Sequence, residues 1–223
     1  MDLRIEFEES PQSFSIIESN LVYPRSSFTN PIHFLFEVLW RFKTLTNSIT
    51  MRLLIALFFL SLSTLAFSQQ HIIDELAADM ERNKSMSLSY VDAMPSDKFT
   101  YSPNDELRTF AQQFLHLSQG LIGLSSNGTG ADPIFKGENL EANEDYHTKA
   151  EVQRIVTESY DFAIQSIKEM DAETLTEIVK RGQFEVTRLG WVNKALEHNT
   201  HHKGQAVIYL RMNGITPPQY QLF

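Results

Sequence analysis

The sequence predicts an all-α fold, a four-helix bundle. Three observations lead there. Apolar residues recur three and four apart in four stretches between residues 70 and 212. No stretch alternates apolar and polar residues at the period of two that a half-buried strand needs. Capping residues and stop signals bound the stretches, and four amphipathic helices bury their apolar stripes most simply against one another.

The first helix is expected over residues 70–94. Ile72, Ile73, Leu76, Ala77 and Met80 share one face, followed less regularly by Leu88, Val91 and Met94, and Pro95 stops it. The second has two candidate starts, used either singly or together as a short turn followed by the main helix. Ser102-Pro103-Asn104-Asp105 supplies a cap, a proline at the first helical position and an acid, while Thr109-Phe110-Ala111-Gln112 is a capping box. Its apolar set is Phe110, Ala111, Phe114, Leu115, Leu117, Leu121 and Ile122. From Gly123 to about Thr148 the period fails. Ser125-Ser126-Asn127-Gly128-Thr129-Gly130 and Asp132-Pro133 predict a long loop, either lining a site or running over the surface. Asn127-Gly128-Thr129 also matches a glycosylation acceptor. The clearest helix spans 149–170, with Val152, Ile155, Val156, Tyr160, Ala163, Ile167 and Met170 in one stripe. Residues 171–184 connect it, with a helical turn at 175–179, to a last helix over 187–212. Asn213-Gly214 and Pro217-Pro218 end that helix.

Residues 1–50 show no sustained period. Met51-Arg52, an apolar run over 53–67 and Ala66-Phe67-Ser68 before Gln69 have the order of a secretory signal peptide. The apolar run is short for a membrane span, which needs about 20 residues. Residues 1–50 are therefore read as an upstream extension of the reading frame, 51–68 as the signal peptide and 69–223 as the folded domain. The expected location is exported, periplasmic or extracellular, with no stable membrane span after cleavage. The alternative is a cytosolic tail followed by a membrane anchor.

Cysteine is absent, so any metal must take histidine, carboxylate, backbone oxygen or water. The formal charge of −9, most of it after residue 69, repels phosphate backbones, and no basic patch offsets it. Nucleic acid is not an expected partner. A small-molecule substrate and a homodimer are compatible with a bundle of this size.

Three of the seven histidines fall in His198-Asn199-Thr200-His201-His202. His198 and His202 are four apart, on one helix face, as two imidazoles sharing an ion require. Projection places them with Trp191, Ala195, Gln205 and Tyr209 along the edge of the apolar arc, and turns His201 away. Asn199 stands where zinc proteases carry a glutamate, which removes that mechanism. His116 projects toward Thr109, Gln112 and Gln113, and periodicity by itself leaves it facing solvent.

The stretch His198-Asn199-Thr200-His201-His202-Lys203-Gly204-Gln205, with Tyr209-Leu210-Arg211-Met212-Asn213-Gly214, resembles the end of the DinB-like metalloenzyme family. Arg108-Thr109-Phe110 with His116-Leu117 resembles the segment carrying that family's first histidine. The likeness covers most of residues 70–219. It implies a DinB-like four-helix bundle with His116, His198 and His202 as metal ligands and an exchangeable fourth position. Lys203 departs from the family's arginine and lacks its bidentate fork. Imidazoles suit zinc, nickel, iron and copper, and a divalent zinc or nickel ion is expected. Glu144 or Asp145 on the loop are candidate oxygen ligands, and His71 and His147 are weaker candidates. Gln205 is read either as orienting a ligand or as packing, and Trp191 and Tyr209 as core or pocket wall.

The implied function is metal-dependent transfer or hydrolysis on a small molecule. Relatives also carry out thiol-dependent transfer, from which export would remove this chain by separating it from the cytosolic thiol pool. The other readings are a non-enzymatic metal-binding module and a helical interaction module with incidental histidines.

Overall fold

The computed structural model describes residues 31–46 and 49–223, in two compact units, Met1–Ala56 and Leu57–Phe223. Residues 1–30, the larger part of the segment read as an upstream extension, lie outside the described residues, as do the side chains of 61–68 around the expected cleavage point.

In the first unit, helix α1 (Pro31–Thr46) opens with proline at its first position, where the missing N–H costs nothing. Its apolar side chains Leu35, Phe36, Leu39 and Trp40 are exposed. Helix α2 (Ile49–Ala93) starts in this unit and continues through the next, so the apolar run is helical and joined to the expected first helix. Leu53, Leu54, Leu57, Phe58, Phe59 and Leu60 are all exposed. Among the described residues no helix is long and apolar enough to cross a membrane.

The second unit is mainly helical. Ile73, Leu76, Ala77, Met80, Val91 and Met94 enter its core from α2 and the residue just past it, as their spacing predicts. Asn83, Ser87 and Tyr90 are buried as well. Pro95 ends α2 and leads into a 3-10 turn, Ser96–Lys98. Helix α3 (Phe110–Thr129) uses the second of the two candidate starts. Thr109 Oγ1 accepts from Gln112 N, and Gln112 Oε1 accepts from Thr109 N at 2.9 Å. Two more amides of its first turn, on Phe110 and Ala111, donate to the carbonyls of Tyr101 and Phe99. The Ser102 segment is instead a turn, in which Asn104 Oδ1 accepts from Glu106 N.

One expected boundary is wrong. The loop was to begin at Gly123, yet α3 runs on to Thr129 and ends at Gly130, whose φ is 82°. Of the small residues that read as turn formers, Ser125 and Gly128 are buried, and Gly128 lies against a neighbouring helix. A Cβ on Gly128 would lie 2.8 Å from the carbonyl oxygen of Arg188 and 2.9 Å from Val192 Cγ2. Asn127, part of the glycosylation match, sits inside this helix and accepts from Arg181 Nε at 2.9 Å.

Helix α4 (Lys149–Lys168) is capped by Thr148, and its predicted stripe is buried. A second expectation fails after it. Residues 178–181 and 184–187 form an antiparallel ribbon, β1 (Ile178–Arg181) and β2 (Phe184–Thr187), with Val179 opposite Val186. The signal is weak: β1 does not alternate, Phe184-Glu185-Val186-Thr187 in β2 alternates over only four residues, and neither face of the ribbon is fully buried. Gly182, at φ 57°, makes the two-residue turn. Helix α5 (Arg188–Met212) follows directly, capped by Thr187. It closes with Gly214 N donating to Arg211 O and Ile215 N to Leu210 O, the Schellman pattern with glycine in the left-handed region.

Helix α3 packs against both α4 and α5. A buried polar node joins the other helices: Asn199 Nδ2 of α5 donates to Tyr160 OH of α4, which bonds Ser87 Oγ of α2 at 2.9 Å. Burial holds the Tyr160 phenol above its ordinary pKa. Lys203 of α5 is buried too, and its ammonium donates to Asn83 Oδ1 of α2. The partner is an amide, so Lys203 makes no carboxylate clamp here.

That bond yields a prediction. Asn83→Ala removes the acceptor from a buried cation and should lower the unfolding free energy by about 1.5–3 kcal/mol in urea titrations. A change under roughly 0.5 kcal/mol, the usual surface range, would mean the ammonium reaches water or another acceptor.

Candidate metal centre

Helices α3 and α5 run antiparallel, so that Gly120 meets His198 while Gly128 meets Arg188 and Val192. This pairing brings His116 on α3 to His198 and His202 on α5. The ring centroids are 5.3 Å apart for His116 and His198, 4.7 Å for His116 and His202, and 4.5 Å for His198 and His202. One nitrogen from each ring lies within 4.8 Å of the others. His116, His198 and His202 would be the residues to hold a single ion there. His202 is buried, His198 is half-buried, and the His116 side chain is 33% exposed. The group is therefore partly open to solvent on the His116 side.

Burial, and then the neighbouring histidines, push the His202 pKa down to about 3. His198 is lowered by burial first and by His116 next. Both imidazoles are neutral at pH 7, and so are competent to give a lone pair to a cation.

Hydrogen bonds decide which nitrogen is free on two of the rings. The carbonyl of Arg108 can only accept, so Tyr209 donates its O–H there at 2.7 Å. The Tyr209 oxygen then accepts from Gln113 Nε2, which leaves Gln113 Oε1 to accept from His202 Nδ1–H at 3.0 Å. The lone pair of His202 is thereby on Nε2. On His116, Nδ1–H donates to Glu141 Oε2 at 3.0 Å, and Glu141 Oε1 accepts from Arg108 Nε at 2.8 Å. Its lone pair is also on Nε2. Carboxylate and amide partners of this kind hold metal-binding imidazoles in orientation and tautomer. Nδ1 of His198 is buried with no hydrogen-bond partner.

Glu141 escaped the sequence reading. It lies in the long loop, where no period marks it, and only the path of the chain carries it to His116. Glu144 and Asp145, the candidate oxygen ligands, are exposed in and around a 3-10 turn. His147 is not in the group. It donates from Nε2 to the Glu141 carbonyl at 2.9 Å and so braces the carboxylate segment. His71 is exposed beside Glu75. His201 is exposed, as its projection indicates, and accepts from Gln205 Nε2 at 3.0 Å. Gln205 thus orients a histidine outside the group. Tyr209 is buried wall, and it is also a link in the chain that orients His202. Trp191 anchors the ribbon by donating to the Val179 carbonyl.

Gly120 was also missed, although it lies four residues after His116 on the same face of α3. A Cβ there would fall 2.2 Å from His198 Cε1 and 2.7 Å from Nδ1. A glycine inside a helix costs about 1 kcal/mol relative to alanine. Here it leaves room for the imidazole. Gly120→Ala should therefore keep the fold, as read by circular dichroism, while metal affinity drops at least about tenfold through displacement of His198. Unchanged affinity would mean that His198 does not contribute as drawn.

A family model described as "DinB family" matches residues 66–223. No curated protein matches the chain in sequence. Among solved structures, a DinB-like protein from Bacillus subtilis is similar with a TM-score of 0.55 and 17% identity, over 66% of this chain and 97% of that one. A DinB-like protein from Bacillus cereus is similar with a TM-score of 0.55 and 16% identity, over 67% and 95%. These likenesses concern the fold: a helical domain in which the small ribbon is a minor addition. With the match spanning the whole helical unit from the middle of α2 onward, the chain belongs to the DinB family.

Proposed function

We propose that the chain is a metal-dependent enzyme acting by transfer or hydrolysis on a small molecule, with His116, His198 and His202 as the ligands of one zinc or nickel ion. The observation that carries this reading is the hydrogen-bonded fixing of two tautomers. Both His116 and His202 keep Nε2 free, in a group whose third member has a buried, unpartnered nitrogen. Three imidazole donors leave an open position, the arrangement of catalytic rather than structural sites. A bound ion would supply Lewis acidity toward the substrate. The chain's own residues orient and insulate. Gln113 and Glu141 hold the two imidazoles, Arg108 neutralises the carboxylate, and His147 and Gln119 tie the loop that carries Glu141.

Elemental analysis of the purified protein tests this directly. One ion per chain is expected, lost in His198→Ala and His202→Ala. Glu141→Gln should keep the ion but weaken it by about 10–100-fold, as changes to such outer partners do. A full complement of metal in the double histidine variant would place the ion elsewhere. Metal bound as expected, with no turnover on ester, amide or thiol substrates, would favour a non-enzymatic binding module.

Export is part of the same proposal. Its support is the order of basic start, apolar run and small residues over 51–68, together with exposed apolar side chains at 53–60 and a family match that begins only at residue 66. Mass spectrometry of the protein from its natural host should give Gln69 as the first residue. A mature chain that retains residues 51–68 would favour a membrane anchor.

A further inference from the structure

Farther along α3 from His116, the helix and the loop over 131–140 line a half-open cleft of about 190 Å³. Its walls are mainly apolar: Ile122, Pro133, Ile134, Phe135 and Leu140. Gly123 lies in its floor, and a Cβ there would meet nothing within 4 Å. On a helix, positions 116, 120 and 123 fall on one face, so the line of α3 that carries His116 continues over two glycines into the cleft.

The cleft is held open by specific bonds. Gln119 donates from Nε2 to the Glu138 carbonyl at 3.2 Å and accepts at Oε1 from Leu140 N at 3.1 Å. One side chain thus satisfies two backbone groups of the loop. Glu141, the next residue, holds His116. The cleft and the histidine group therefore share the segment 138–141 as a wall. At the far side Phe135 has φ 52°, a left-handed conformation unusual for an aromatic residue. The guanidinium of Arg154 lies 5.8 Å from its ring centroid and 5.9 Å from that of Tyr146, whose hydroxyl donates to Glu138. Strained backbone of this kind persists where its surroundings over-determine it, and it clusters at ligand sites.

We propose that this cleft is the subsite for an apolar group, a short alkyl chain or one aromatic ring, of a substrate whose polar head lies at the three histidines. A cavity of about 150 Å³ accommodates a benzene ring, so the volume suits one such group and excludes a polycyclic one. The inference rests on the metal-centre reading above, and its test separates the two.

The probes are hydroxamates, which bring a chelating head to zinc and carry tails of increasing length. Calorimetry on the zinc-loaded full chain should show acetohydroxamate binding, then affinity rising by about fourfold per added methylene up to the length of a butyl or phenyl tail. Gly123→Leu fills the floor. It should leave acetohydroxamate affinity unchanged and abolish the gain from longer tails. Ile134→Ser, on the loop, gives the same contrast should the leucine variant fail to fold. Binding that is independent of tail length, or a gain that survives both substitutions, overturns the subsite while leaving the metal centre intact. If acetohydroxamate itself fails to bind and the protein takes up no zinc, both readings fall together.

Discussion

The close approach of α3 and α5 is the constraint on which the rest depends. Two glycines on α3 allow it. Gly128 lets the start of α5 sit against the helix backbone, and Gly120 lets the His198 ring approach α3 closely. Protein interiors are packed to crystal density, so a single extra carbon at either place would have to displace a neighbour. The cost is intrinsic helix propensity, since α3 carries glycine at 120, 123 and 128 within one helix. The capping box at Thr109, the backbone bonds from Tyr101 and Phe99, and a buried apolar face hold the helix despite that cost.

Arg108 gives the site its polarity. It stands just before the cap of α3, where its carbonyl and its side chain point to separate tasks. The carbonyl ends the chain Tyr209–Gln113–His202, and the guanidinium holds Glu141 against His116. One residue thus orients candidate ligands on two helices and recruits a loop residue to do so. Each group in these chains has a partner, and a low local dielectric strengthens bonds of this kind when all are satisfied. Nδ1 of His198, beside these chains, is buried and makes no hydrogen bond. A free ring nitrogen next to two imidazoles whose orientation is fixed makes the cluster a candidate binding site.

The long loop changes meaning once its path is known. As sequence it is a run of turn formers and charges. In the structure, Leu140 is buried, Glu141 supports a candidate ligand, and Gln119 and Arg154 clip the chain to α3 and α4. It forms part of the site. Glu144 and Asp145, the carboxylates singled out as oxygen ligands, are exposed, while Glu141 reaches His116 as its hydrogen-bond partner. Carboxylates three or four residues apart in an irregular segment look alike until the backbone has been traced.

Much of the helical pattern was legible. The stripe of α4, the caps at Thr109 and Thr187 and the stop at Gly214 follow from local chemistry, which acts over a few residues and is written in order along the chain. The His198 and His202 pair is of the same kind, set by the helix repeat. Where readings failed, the deciding contact was distant. Gly128 stays helical because Val192 packs on it, and the ribbon after Leu175 pairs without a buried face to announce it. His116 faced solvent by periodicity, and only the family resemblance linked it to the pair before the fold brought α5 alongside it. By itself, then, the sequence determined the helices, their caps and two histidines on one face. Tertiary structure decided which third histidine joins them, which carboxylate supports it and which glycine makes room, because those choices depend on the approach of chain segments that local periodicity does not encode.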